Sequence, residues 1–255
     1  PPRSTLFPYT TLFRSLIPED IGLAPRESWY MTKRPVYLSA LADKSAVMED
    51  GLLAHWTFNE TDPVMVKDSS NCKLEGFLND CEYGPGVEGQ GLVCTGDAAE
   101  IPFNRLLMPP EGLTLSLWVN PSEADQSDNW LLTCITGAST GWRLGLGNES
   151  KAAFQVPITD WSHGLSGGDP LPVGKWTHVA ATWDGQMLRL YVAGKEVASL
   201  PRQGAIRPAT SSLFLGGFSR NHPTANYLGS IDEVKVWVRA LSPAELAAEA
   251  ARFGD

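Results

Sequence analysis

No run of about 18 apolar residues occurs in the chain, so nothing in it reads as a membrane-spanning helix. The N-terminus also lacks a basic stretch followed by an apolar block, and no signal peptide is visible. Positive charge is in deficit: 20 Lys and Arg stand against 29 Asp and Glu, for a net charge of −9. A phosphate backbone would be repelled, which sets nucleic acid aside as a partner. Cysteine is scarce, with four residues and no Cys-x-x-Cys spacing. That is too few for a disulfide-framework protein and the wrong pattern for zinc. Cys72 and Cys81 lie nine apart in a polar stretch, near enough to pair. Cys94 and Cys134 sit in strand-like runs and read as small core residues, with a bridge as the alternative.

What is present points to a turn-rich globular chain. The 255 residues include 24 Gly and 19 Pro, which disfavours a helical bundle, and 9 Trp and 9 Phe, which exclude disorder. The length suits one large domain or two small ones. Residues 5–15, Thr-Leu-Phe-Pro-Tyr-Thr-Thr-Leu-Phe-Arg-Ser, resemble residue for residue the translation of a short-read sequencing adapter. On that reading residues 1–15 are not native, and the missing signal peptide carries no information on localisation. Different codons through this stretch in the source contig would overturn it. Residues 16–48 carry little periodicity and read as a linker or the tail of an upstream domain, leaving 49–255 as the main domain.

From Gly51 the pattern is that of strands. Leu113-Thr-Leu-Ser-Leu-Trp-Val119 alternates with a period of two, as a half-buried strand does. Val179–Trp183 and Leu188–Val192 flank Asp184-Gly185, a hairpin signal, and Ala193-Gly194 marks a second turn. Leu213–Leu215 and Ile231–Val238 add further strands. Many short strands joined by turn chemistry predict an all-β fold, an antiparallel sandwich. Ser242-Pro243-Ala244-Glu245 is a capping box with proline at the first helical position, so a short helix closes the chain.

These pieces arrive in an informative order: Gly51-Leu-Leu-Ala-His-Trp-Thr-Phe-Asn-Glu60, Asp68-Ser-Ser70, Leu113–Pro121, Gly174-Lys-Trp-Thr-His-Val-Ala-Ala-Thr-Trp-Asp-Gly185, Gly229-Ser-Ile-Asp-Glu-Val-Lys-Val-Trp237 and Arg239-Ala-Leu-Ser242. Together they resemble the laminin-G-like family, with the concanavalin A-like jelly roll. The resemblance covers residues 50–254 and implies two antiparallel sheets packed face to face, with the short C-terminal helix appended. It further implies a secreted or cell-surface multidomain parent, often bacterial, and a lectin-like carbohydrate-binding module without catalysis. A protein–protein adhesion or spacer module is the alternative; a divergent polysaccharide hydrolase or lyase ranks below both.

Catalysis finds little support in the residues. Laminarinase-type jelly rolls carry Glu-x-Asp-x-x-Glu, whose carboxylates flank the scissile bond. Glu60-Thr-Asp62 and Glu123-Ala-Asp125 approach that pattern, but neither supplies the final Glu. No Gly-x-Ser-x-Gly elbow or His-Glu-x-x-His helix occurs, and His55, His163, His178 and His222 are the four histidines. Relatives of this kind often hold one structural calcium ion, which takes six to eight oxygen ligands. Carried over, the metal candidates are Asn59, Glu60, Asp68 and Asp232, although Asn59 replaces a common acid and Asn71–Glu75 replaces a Gly/Asn-rich turn. The other reading makes Asp68 an Asx turn and Asp232 an acid bonded to backbone amides. For a glycan, the candidate ligand residues are loop aromatics and their polar neighbours: Trp130, Trp142, Trp161, His163, Arg220, His222 and Tyr227. Against this stands the reading that such rings plug the ends of the sandwich, as Trp56, Trp118, Trp176, Trp183 and Trp237 are expected to do in the core.

Overall fold

Sixteen strands fold into two antiparallel sheets in the computed structural model, which describes residues 48–137, 140–157, 164–218 and 226–254. The segments 1–15 and 16–47, read from the sequence as artefact and linker, lie outside the described residues. The strands are β1 (Leu52–Trp56), β2 (Met65–Val66), β3 (Gly76–Phe77), β4 (Glu82–Pro85), β5 (Gln90–Thr95), β6 (Ala99–Ile101), β7 (Leu113–Pro121) and β8 (Trp130–Cys134). There follow β9 (Trp142–Leu146), β10 (Ala152–Gln155), β11 (Leu165–Gly167), β12 (Thr177–Trp183), β13 (Met187–Val192), β14 (Lys195–Pro201), β15 (Leu213–Leu215) and β16 (Leu228–Trp237), then helix α1 (Pro243–Ala251). The first sheet runs β14-β13-β12-β7-β16-β5-β4, with β1 also on β16; the second runs β11-β10-β9-β8-β15-β6-β3-β2. Neighbours far apart in sequence, such as β7 with β16, make this the crossed-over jelly-roll sandwich expected of the sequence.

Alternation decides which side chains meet between the sheets. Leu115, Leu117 and Val119 of β7 share their face with Val179 and Ala181 of β12 and Ile231 and Val236 of β16. The second sheet answers with Leu132, Trp142, Leu144, Phe154, Leu213 and Leu215, all fully buried. Buried indoles keep their polar ends satisfied: Trp142 Nε1 donates to Leu107 O at 2.6 Å and Trp56 Nε1 to Leu74 O at 2.9 Å. Truncating one such ring to alanine costs about 3–5 kcal/mol.

Both expected hairpins form, with different turn geometry. The hairpin with left-handed backbone at both central residues is β13–β14, where Ala193 and Gly194 have φ of 47° and 73°. At β12–β13, Gly185 alone of its pair is left-handed, and Asp184 instead accepts the N–H groups of Gln186 and Met187.

Strand β7 is also not half solvated: Thr114, Ser116 and Trp118, on the side away from the core, are buried as well. Helix α1 is the reason. Its capping box is formed, Ser242 Oγ accepting from Glu245 N–H and Glu245 accepting from Ser242 N–H at 2.7 Å. Leu246 packs with Ala180, Tyr191, Trp237 and Leu241 on the outer face of the first sheet, and Phe253 meets Trp118 edge-on at 6.0 Å. Thr114 ties the helix entry down, its hydroxyl donating to Arg239 O and accepting from Leu241 N–H.

Beneath this cover lies a buried polar layer. His55 Nε2 is 2.9 Å from Glu233 Oε2, and Lys235 Nζ lies 2.5 Å from Glu249 and 3.6 Å from Glu233. Ser116 Oγ and His178 Nε2 are 2.8 Å apart. Burial works against ionised Glu233, but the His55 hydrogen bond and the charges of His55, Lys235 and Arg252 overcome it and hold the carboxyl below its usual range. Burial pushes His178 down to about 4.

Candidate functional site

The outer face of the second sheet carries a different set of residues. Cross-strand register aligns Gln155 (β10), Arg143 (β9), Thr133 (β8), Phe214 (β15), Glu100 (β6) and Phe77 (β3) in one row across six strands. At a strand spacing of about 4.8 Å the row is about 24 Å long. Gln155, Arg143, Phe214 and Glu100 are half-buried, and Phe77 is 44% exposed.

One end of the row is built with care. Trp130 pairs with Gly145, and its ring lies flat against that position because glycine has no side chain: a Cβ there would stand 2.8 Å from the indole Cε3. The Arg143 guanidinium sits over the indole, 3.8 Å from the ring centroid and 5.9 Å from that of Phe218. Its Nε donates to Gln155 Oε1 at 2.6 Å. Burial lowers the Arg143 pKa to about 10, against the opposing pull of Asp128, so the group stays cationic at neutral pH. Along the row, Ser212 Oγ donates to Glu100 at 2.7 Å, while Thr133 Oγ1 is buried with no hydrogen-bond partner among the described residues.

The ligand residues expected from the sequence are only partly here. Trp130 belongs to this face but is 3% exposed, so it backs Arg143 rather than offering a ring to a sugar. Trp142 and Tyr227 are both 0% exposed, and a ring sealed on both faces cannot stack on a ligand. Trp142 stands one residue from Arg143, on the opposite side of β9, and points into the core. Trp161, His163, Arg220 and His222 lie outside the described residues. Arg143, Gln155, Phe214 and Glu100 are the residues missed from the sequence. The signal for the first was the alternation of Trp142, Leu144 and Leu146 with Arg143 and Gly145.

The metal candidates do not form one cage. Asp68 is consumed by its own neighbourhood: Oδ1 accepts from the N–H groups of His55 and Ser70, and Oδ2 from Ser70 Oγ and Leu74 N–H. This is the Asx-type role, and it takes Asp68 out of the ligand set. Asp232 Oδ2 accepts from Val87 and Glu88 N–H, and Asn59 Oδ1 from Gln90 N–H, so both side chains close on the turn between β4 and β5. Glu60 Oε1 accepts from Lys67 N–H, and its Oε2 is buried without a hydrogen-bond partner among the described residues. Burial pushes the Asp232 carboxyl up to about 7, helped by the charge of Glu233 and opposed by its backbone hydrogen bonds. Among the described residues no three His, Cys, Asp or Glu side chains converge on one point. A bulge in β16 between Asp232 and Lys235, with Glu233 at φ 50°, separates the two acids: Asp232 serves the β4–β5 turn and Glu233 serves His55.

Comparison with known proteins agrees with this architecture. Mouse pappalysin-1 is 30% identical over 187 residues, covering 65% of this chain and 11% of that protein. The chain spans about a tenth of the length of the curated relatives it matches. Among solved structures, domain 4 of AbnA, a GH43 extracellular arabinanase from Geobacillus stearothermophilus solved with arabinotriose, is 21% identical with a TM-score of 0.57, covering 78% of this chain and 98% of that one. The binding domain of Paraclostridial Mosquitocidal Protein 1 is 14% identical with a TM-score of 0.63, covering 79% and 52%. The family model described as the concanavalin A-like lectin/glucanases superfamily matches residues 95–247, which is more than half of the sequence. With its two sheets, its crossed-over strand order and this match, the chain belongs to that superfamily.

Proposed function

We propose that this domain is a non-catalytic carbohydrate-binding module and that its ligand lies along the outer face of the second sheet. The observation that carries the reading is the Arg143 guanidinium held over Trp130 and braced by Gln155 on a face that α1 leaves alone. A guanidinium fixed in this way is a donor of the kind that binds sugar hydroxyls, and it meets a ligand without first losing side-chain freedom. Phe214 adds an apolar surface and Glu100 an acceptor farther along the row. The row length of about 24 Å suits an oligosaccharide chain rather than a single ring. Glycoside hydrolysis calls for two facing carboxylates, and Glu100 is the one carboxylate among these six residues, which supports binding without turnover. The arabinotriose bound by the AbnA domain gives a precedent on a similar fold. An extracellular setting within a longer protein is part of the proposal; the length of the curated relatives supports the second part, and the extracellular arabinanase that carries the AbnA domain is a precedent for the first.

A glycan array followed by titration calorimetry tests it. Binding to a defined polysaccharide, weakened at least tenfold by Arg143→Ala with the fold intact, is the expected result. No binding by the folded protein to any glycan would turn the reading to a protein-adhesion module. Release of reducing ends from a bound polysaccharide would make the domain an enzyme.

Calcium enters the same proposal at the β4–β5 turn alone. Asn59, Glu60 and Asp232 would supply oxygen donors there, with Asp68 outside the set, and the ion would stiffen the turn. The support is chemical: the carboxylates are hard oxygen donors, and one buried Glu60 oxygen has no hydrogen-bond partner among the described residues. Millimolar calcium is expected to raise the melting temperature relative to chelator, and Asp232→Asn to abolish the rise. An unchanged melting curve removes calcium from the proposal and leaves the glycan reading standing.

A further inference from the structure

We propose that Cys81 and Cys94 form a cross-strand dithiol that closes to a disulfide in an oxidising compartment and staples β4 to β5 inside the sandwich. All four cysteines of the chain are buried thiols in this structure. The register of the β4–β5 hairpin singles out two of them. Glu82 pairs with Val93, Tyr83 with Leu92, Gly84 with Gly91 and Pro85 with Gln90, so the next pair outward is Cys81 with Cys94.

The kind of pair follows from the turn. Gly86 N–H donates to Gly89 O at 3.0 Å, which makes 86 and 89 a hydrogen-bonded pair. Pairs in an antiparallel ladder alternate between hydrogen-bonded and non-hydrogen-bonded, and five steps outward Cys81 and Cys94 fall in the second class. Opposite Cα atoms are then about 4.5 Å apart, inside the range of about 4.4–6.8 Å that a disulfide spans. Cys81 N–H bears this out by turning away from β5 to donate to Leu78 O at 3.2 Å.

The side chains agree with the backbone. Both residues face the core, 4% and 1% exposed, and the Cys81 thiol together with burial keeps Cys94 protonated. Cys94 Sγ is aimed at Gly216 across the sandwich, where an added Cβ would come within 2.2 Å of it. The sulfur therefore has little room to turn away from its partner. Cys134 is engaged elsewhere, its Sγ 3.7 Å from Ser211 O in the second sheet.

Closure needs a two-electron oxidant, and a small disulfide such as oxidised glutathione serves. One cysteine thiolate attacks it to give a mixed disulfide and one glutathione thiol; the other cysteine then attacks the mixed disulfide and releases the second. The two cysteines lose two protons and two electrons, and the oxidant takes up both to become two thiols. The contact with Cys81 and burial hold Cys94 as a thiol in the folded chain, so the exchange belongs to folding or to transient opening. Once closed, the bridge is shielded from reductant by the same burial.

The test is refolding of the full chain in a glutathione redox buffer, alkylation, and digestion after Lys, Arg and Glu without reduction. Lys73, Glu75, Glu82 and Glu88 place Cys72, Cys81 and Cys94 on separate peptides. The expected product is the Cys81 peptide linked to the Cys94 peptide, two hydrogens lighter than their sum. Its melting temperature should exceed that of the reduced protein by about 5 °C, and the native bridge should resist dithiothreitol until urea is added. Cys72→Ser keeps the link and Cys81→Ser abolishes it. Four alkylated cysteines in the natively refolded wild-type protein, or a link from Cys81 to Cys72, would overturn the proposal.

Discussion

The two outer faces of this sandwich carry comparable numbers of polar side chains and put them to opposite uses. On the first sheet, Ser116, His178, Glu233 and Lys235 are buried beneath α1 and bonded to one another, to half-buried His55 or to the helix. On the second, Arg143, Gln155 and Glu100 remain half exposed, with Arg143 held over an indole and bonded to the Gln155 amide. A charged residue on a sheet face is thus not by itself a sign of a binding surface. Where a helix closes over it, the charge holds the fold together; where the residue stays half exposed, it is a candidate for a ligand.

The comparison can be broken from the covered side first. Glu233→Gln keeps the volume but leaves Lys235 and His55 facing a neutral group in a buried site, and should destabilise the protein by about 3 kcal/mol in urea denaturation. Glycan binding by the folded fraction should be unchanged; a loss of affinity at full folding would show the two faces to be coupled.

Acid gives an effect of similar size. Because burial lowers His178 from its usual 6.5 to about 4, the folded protein resists its protonation. The stabilisation is fully present above pH 6.5 and is lost as pH falls from 6.5 towards 4, amounting to about 3 kcal/mol at 1.36 kcal/mol per unit. The facing charges are Glu249, which favours the protonated ring, and Lys235, which opposes it. His178→Asn should flatten this part of the pH profile. Asp232 runs the other way, its raised pKa withdrawing stability as pH climbs from about 4 to 7, so melting curves of both variants across pH 4–8 separate the two.

The smallest effect belongs to the helix cap. Ser242→Ala removes the hydroxyl that accepts Glu245 N–H and should lower stability by about 1 kcal/mol. Because α1 covers the first sheet, hydrogen exchange at β7 and β12 should quicken before that at β8 and β9.

Much of this fold was legible in the chain, because strands one residue deep in a core must alternate and turns must carry residues that tolerate them. Leu113–Val119, the hairpin at Ala193-Gly194 and the capping box at Ser242 are local signals, and each marks a real element. The binding face was not legible in the same way. Trp142 and Tyr227 sit among polar and glycine residues and look like loop aromatics, yet register on β8 turns Trp142 inward and Tyr227, just before β16, is fully buried. Arg143 looks unremarkable in sequence, since its setting depends on Trp130 and Gln155, brought to it by β8 and β10. Asp68 and Asp232 were candidates for either a metal or the backbone, and only the placement of Leu74 and Val87 N–H groups shows what holds them now.

The first and last strands lie side by side, Leu52 opposite Trp237, with Val238 N–H donating to Gly51 O and Arg239 gripping Asp50 at the same end. A pull that reaches Gly51 and Val238, once α1 has left the sheet, therefore enters at one corner. The load peels β1 from β16 one hydrogen bond after another, as a zipper opens, instead of loading the whole ladder in shear. Mechanically this is the soft direction, and the Arg239–Asp50 clasp stands at the mouth of the zipper, where the parting of the two strands begins.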